Sequence, residues 1–237
     1  MVTVLFDIDG TLIQTGGAGQ RAFAETFSSL FGIEKISSEV RFAGRSDRAI
    51  VEDLMEAHGV AVNSDNWNRF IEAMVPRLVE MLPLCQGTIL PGVVELLDEL
   101  EKSEHVATGL LTGNIAAGAR AKLSHYQLWQ RFAFGGYGDH CTNRNDIAAA
   151  ALAAAQSHVA QHRTGNSQER SSDTELVFVI GDTPADVECA RSIGACAIAV
   201  LTGGASREQL LATKPDLLLN DLTEVDDFLL QINAAVA

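Results

Sequence analysis

Residues 2–12 read VTVLFDIDGTL. Val2 to Phe6 is an apolar, β-branched run of the kind that makes a strand buried on both faces. Asp7 and Asp9 follow one residue apart, and Gly10 breaks the strand directly after them. Strand side chains alternate, so the two acids point the same way if the chain stays extended. At the carboxyl end of a parallel strand, both then lie in the crevice where open α/β sheets bind ligands. Two like charges buried that close repel strongly unless a proton or a cation sits with them. A hard divalent cation with oxygen ligands, most simply Mg²⁺, is the expected cofactor. The bland alternative is a capped strand end with two solvated acids.

Working outward, Thr15 to Gly19 is glycine-rich, and Gln20 to Phe31 repeats apolar residues at helical spacing. Residues Gly17 to Ala22 match the loose dinucleotide fingerprint, but the glycines lie well beyond the strand that should feed them. A hinge is the better reading. From Ile33 to Cys85 the pattern is helical throughout. Ser46 or Asp47 caps a helix that Gly59 stops, and Asn63, Ser64 or Asp65 starts the next. Pro76 predicts a kink or a break in that second helix. Residues 15–85 are thus expected to form an inserted helical domain, hinged at Thr15–Gly19 and Pro83–Gly87.

Beyond residue 86 helix and strand alternate. Strands are expected at 106–111, 132–134, 176–180, 196–201 and 216–219. Helices are expected at 93–100, 115–126, 145–160 and 187–193, with a short one opened by a Ser206–Gln209 capping box and a closing one at 224–232. Residues 161–173 read as an exposed polar loop. The alternation predicts an α/β fold with a Rossmann-like parallel sheet, covered by helices on both faces and built from residues 1–14 and 86–237.

The whole chain bounds the function. At 237 residues it has room for one or two domains. Its 31 acids against 17 Lys and Arg give a net charge of −14. That argues against a nucleic-acid partner and makes each positive group near an anionic substrate valuable. No apolar run approaches the ~18 residues of a membrane span. The first strand begins too early for a signal peptide, so a cytoplasmic setting is expected. Cys85, Cys141, Cys189 and Cys196 show no metal-ligand spacing and read as reduced core residues. The six histidines show neither ligand nor triad spacing, and Trp67 and Trp129 read as packing residues.

Four strand ends carry residues suited to phosphoryl transfer. Asp7 can attack phosphorus as a nucleophile, and Asp9 can serve as general acid and then base. Thr112 and the Gly113 N–H can hold phosphate oxygens. Asp182 and Asp186 can complete a carboxylate cage for Mg²⁺. Arg144 can neutralise the transferring group.

These residues together resemble the haloacid dehalogenase superfamily. Its first motif, Asp-x-Asp-Gly-Thr, matches Asp7 to Thr11 without departure. Leu111-Thr112-Gly113-Asn114 is similar to its second motif, and Gly181-Asp182-x-x-x-Asp186 to its fourth. The insert resembles the helical cap of phosphoglycolate phosphatase-like members. The resemblance implies Asp7 as nucleophile and Asp9 as acid/base. It also implies Mg²⁺ held by Asp7, the backbone carbonyl of Asp9 and Asp182, with Asp186 behind them. Gly10, Thr11, Thr112, Gly113 and Asn114 would bind the phosphoryl group. The third motif departs from the family pattern, since a lysine is usual where this chain has Asn143-Arg144-Asn145-Asp146. Arg144 is expected to fill that position, with Lys122 the weaker substitute.

The resemblance also bears on the reaction. Family dehalogenases generally lack the second acid, because a halide leaves without a proton, so Asp9 favours a phosphatase. The expected substrate is a small, anionic organic phosphate such as phosphoglycolate or a sugar phosphate, and the expected state a monomer or homodimer. Arg45 is a candidate substrate contact; the alternative is a surface arginine paired with Asp47. A β-phosphoglucomutase-like mutase is the main rival. It is disfavoured because residues 16–19 offer no His or Lys to gate Asp9. A silent binding module and a nucleotide-dependent oxidoreductase rank below it.

Overall fold

The computed structural model describes residues 1–162, 176–226, 228–230 and 232. Strand β1 (Val2–Phe6) is buried along its whole length. Its side chains alternate as a two-faced strand requires, with Val2, Val4 and Phe6 in one apolar cluster and Leu5 in another. The chain continues through β2 (Ile13–Gln14), α1 (Ala18–Phe31), α2 (Asp47–Ala57) and α3 (Ser64–Met81), then β3 (Thr88–Ile89) and α4 (Val93–Leu100). Next come β4 (Val106–Leu111), α5 (Ala116–His125), β5 (Phe134–Gly136), α6 (Arg144–His162) and β6 (Leu176–Gly181). Helix α7 (Pro184–Ser192), β7 (Cys196–Val200), α8 (Arg207–Ala212) and β8 (Leu217–Leu219) complete the order.

The sheet runs β5-β4-β1-β6-β7-β8 and is parallel throughout. One face buries Leu96 and Leu97 of α4, Leu123 of α5 and, near the carboxyl end of the chain, Phe228. The other buries Ile147 and Ala151 of α6, Val187 of α7 and Leu210 of α8. Helices therefore cover both faces, as a continuous apolar central strand demands. Helices α1, α2 and α3 pack around a third cluster, in which the Phe70 ring lies 5.1 and 5.2 Å from those of Phe23 and Phe27. The antiparallel pair β2–β3 ties together the two points where the chain enters and leaves this helical insert.

Two expected boundaries need correction, and of the kink or break expected at Pro76 the break is absent. Helix α3 runs from Ser64 to Met81 through Pro76 without a break. Trp67, Phe70, Met74 and Leu78 form one buried stripe across the proline, and that packing offsets the lost backbone hydrogen bond. Strand β5 lies two residues later than expected, at 134–136, behind a 3₁₀ turn at Trp129–Arg131. Gly136 weakens the strand signal in sequence, yet a Cβ there would sit 2.4 Å from the Ile147 carbonyl. Close approach of α6 therefore requires glycine in the strand. Helix α7 starts at Pro184, a residue suited to a first turn, which places Asp186 in that turn and in a capping box with Thr183. The expected polar loop lies outside the described residues, except Gln161 and His162, which end α6. No described helix is long and apolar enough to cross a membrane.

Candidate active site

Asp7 follows β1, Thr112 follows β4 and Asp182 follows β6, on three neighbouring strands. Their carboxyl ends open into a cavity of about 490 Å³ roofed by α1 and the loop before α2. Asp7, Asp9, Gly10, Thr112, Gly113, Asn114, Arg144, Asp182 and Arg45 all line it. Thr11 and Asp186 stand behind the wall. Thr11 Oγ donates to Asp182 at 3.3 Å.

One carboxylate oxygen from each of Asp7, Asp182 and Asp186 lies within 4.8 Å of the others, and all three residues are buried. Burial and the neighbouring Asp186 push the Asp7 carboxyl up to about 7. Burial, Asp186 and Asp7 push Asp182 up to about 8. Hard oxygen donors crowded together away from water are the donor set of a divalent cation, so the residues fit Mg²⁺. Asp186 is already engaged. One oxygen accepts from Arg144, the other from the Thr183 N–H at 2.9 Å and Oγ at 2.6 Å.

Arg144 opens α6 and is itself buried. Burial opposes its charge, but Asp186 and Asp7 outweigh that and hold it ionised. Its guanidinium lies 3.8 Å from Asp7 Oδ2. Arg144 thus lies beside Asp7, although it also serves Asp186.

Asp7 and Asp9 line the same cavity but make separate direct side-chain contacts, Asp7 lying beside Arg144. Strand β1 ends at Phe6, and the Ile8 carbonyl accepts from the N–H groups of Leu12 and Ile13, so the chain turns instead of staying extended. The Asp9 side chain remains 43% exposed and accepts from Lys122 Nζ at 2.6 Å and Asn114 Nδ2 at 2.8 Å. Lys122 Nζ also donates to Asn114 Oδ1 at 2.6 Å, and Asn114 Nδ2 reaches Thr112 Oγ at 2.8 Å. Burial works against the ammonium, while Asp9 and Asp47 restore its charge. Sequence reasoning did not foresee this contact. Its signal was a lysine within the buried helical stripe Ile115, Ala119, Lys122, Leu123.

The insert reaches this site through the loop before α2. Ser46 caps α2 by accepting from the Ala49 N–H, and its hydroxyl donates to the Thr142 carbonyl. The Asp47 N–H donates to the Gly113 carbonyl at 2.7 Å, and Asp47 Oδ2 accepts from the Ile115 N–H at 2.8 Å. Burial pushes the Asp47 carboxyl up to about 6 against the pull of Lys122. A Cβ on Gly113 would lie 2.1 Å from the Arg45 carbonyl, so only glycine permits this approach. Arg45 pairs at 2.6 Å with Asp53 of α2, not with Asp47.

Sheet and site together define a parallel α/β enzyme fold with a buried acidic cluster at the carboxyl edge of its central strands. The chain belongs to the haloacid dehalogenase-like hydrolases, whose family model matches residues 4–200. It is 27% identical to the probable phosphatase IndB of Dickeya dadantii (strain 3937), over 94% of this chain and 90% of that one. It is 26% identical to a phosphoglycolate phosphatase of Synechococcus elongatus, over 92% of each. Its fold resembles the crystal structure of CbbY from Rhodobacter sphaeroides in complex with phosphate, with a TM-score of 0.72 and 20% identity over 95% of this chain and 97% of that one.

Proposed function

We propose that this chain is a Mg²⁺-dependent phosphomonoesterase that works through an aspartyl-phosphate on Asp7. The observation that carries the reading is the juxtaposition of Asp7 with Asp182, Asp186 and Arg144 in one buried cluster, with Asp9 on the same cavity wall. An Asp7 carboxylate oxygen attacks phosphorus, forming an acyl phosphate as the bond from phosphorus to the substrate's alcohol oxygen breaks. Asp9 passes a proton to the departing alkoxide, then takes one from the water that cleaves the acyl phosphate. Arg144, Thr112 and the Gly113 N–H steady the phosphoryl oxygens. Asp7, Asp182 and the Asp9 carbonyl would hold Mg²⁺, with Asp186 and Arg144 fixing them from behind. Bound there, the cation would offset the negative charge shared by Asp7 and the phosphoryl group.

Residues 15–85 serve as a cap over a core of residues 1–14 and 86–237, and its closure excludes bulk water from the attack. The contacts of Ser46 and Asp47 with Thr142, Gly113 and Ile115 support this division. The Lys122–Asp9 pair supplies the cation on Asp9 whose apparent lack weighed against a phosphosugar mutase, so that reading keeps one supporting observation. Release of inorganic phosphate from a panel of esters separates the two. It is run with Mg²⁺, with chelator, and with an Asp7→Asn variant. Metal-dependent release abolished in the variant supports the phosphatase. Isomerised sugar phosphate without release supports the mutase, and neither product sinks both.

A further inference from the structure

Part of the cavity wall comes from α1, the loop before α2 and the start of α2, and on the phosphatase reading it would face the alcohol of a bound ester. Among the described residues lining the cavity, each cation is already committed. Arg144 serves Asp186 and Asp7, Lys122 serves Asp9 and Asn114, and Arg45 is held by Asp53 and the Ala49 carbonyl. The charged side chains beside the loop before α2, Arg45 and Asp47, are both engaged within the protein, Arg45 with Asp53 and Asp47 with the Ile115 N–H, so neither offers a free positive charge to an anionic tail. The rest of this part of the wall is Gln20, Phe23, Phe42 and Ile50, alongside glycines that leave width. Phe23 and Phe42 meet edge to face, 5.4 Å between centroids, and Phe42 is only half buried. A ring face can therefore dock beside them without displacing a core side chain.

We propose, resting on the phosphatase reading above, that the substrate is the phosphate monoester of an uncharged alcohol bearing a flat ring. It is not an ester whose alcohol carries a carboxylate or a second phosphate. The juxtaposition of committed cations and a half-buried aromatic corner in one cavity carries this inference. Phosphoglycolate and bisphosphates are then poor substrates, in contrast to the small anionic ester expected from the sequence.

The test uses matched esters with the full chain and Mg²⁺. Benzyl phosphate is compared with 4-carboxybenzyl phosphate, and 2-hydroxyethyl phosphate with phosphoglycolate. Each neutral ester should exceed its charged partner in kcat/KM by about tenfold or more, mainly through KM. Benzyl phosphate should exceed hydroxyethyl phosphate by about tenfold, from the apolar area it buries. Phe42→Ala should shrink the benzyl-to-hydroxyethyl ratio. Calorimetric binding of the same esters to the Asp7→Asn variant should give the same ranking without turnover. Charged esters that match or beat neutral ones in turnover or binding overturn the proposal. So does an Arg45→Gln variant that weakens charged esters alone, since Arg45 would then leave Asp53 to read an anion. If no ester turns over, the phosphatase reading fails. The binding ranking still decides the substrate class, for it if neutral rings win and against it if charged esters do.

Discussion

Lys122 and Asp9 show how much one contact changes the reading of a site. Asp9 was legible from its motif, but its partner was not. The register of α5 against the end of β1 arises from tertiary packing, and 113 residues separate the two side chains in sequence. If Asp9 is the proposed acid/base, Lys122→Met should lower kcat by about 10²-fold with KM little changed, because it frees a group whose placement is worth about that much. Steady-state kinetics on one good ester reads this split. The fold should lose about 1–3 kcal/mol in urea unfolding, since exposed Asp9 regains water while buried Asn114 loses a donor. Arg144 is a different case. Both it and Asp186 are under 10% exposed, so Arg144→Met strands a buried carboxylate. The cost should be about 3–5 kcal/mol in the same measurement. A loss below about 1 kcal/mol would mean that water reaches Asp186 after all.

At the scale of elements, packing set the boundaries that local pattern misjudged. A helix spanning Pro76 is unreadable from propensity alone, because the stripe that rescues it has value only once α1 lies against it. Strand β5 was hidden for the converse reason. Gly135 and Gly136 look like a turn, yet they pair in register with Leu110 and Leu111 under α6. Gly136→Ala should therefore destabilise by about 1–3 kcal/mol despite its better strand propensity, as overpacking against Ile147 and Ala151 forces α6 outward. A midpoint equal to the native chain's would show that α6 yields without cost. The strands carrying Asp7, Thr112 and Asp182 were legible to within a residue. Each is an apolar run ended abruptly by a polar residue, the pattern of a buried parallel strand reaching its ligand edge.

Across the whole molecule, a net charge of −14 surrounds a buried cluster of three carboxylates answered by one arginine. That imbalance links metal, pH and stability. Asp7 and Asp182 titrate near 7 and 8 in the folded chain, well above their ordinary carboxylate values, chiefly because they are buried. The native state therefore binds protons that the unfolded chain has already released. Without metal, stability should fall as pH rises from about 4 through 8, since raised carboxyl pKa values give that sign. On the proposed reading, Mg²⁺ would compete for the same oxygens and displace those protons, so it should bind more tightly at pH 8 than at pH 6. Thermal unfolding with chelator and with excess Mg²⁺ reads both effects. At pH 8, Mg²⁺ about a hundredfold above its Kd should raise Tm by about 5 °C or more, and the gain should shrink toward pH 6. Asp182→Asn would remove one proposed anionic ligand and one buried charge together. It should raise the metal-free Tm at pH 8 while abolishing most of the Mg²⁺ response. A Mg²⁺ shift of equal size in that variant, or one independent of pH, would place the cation somewhere other than this cluster.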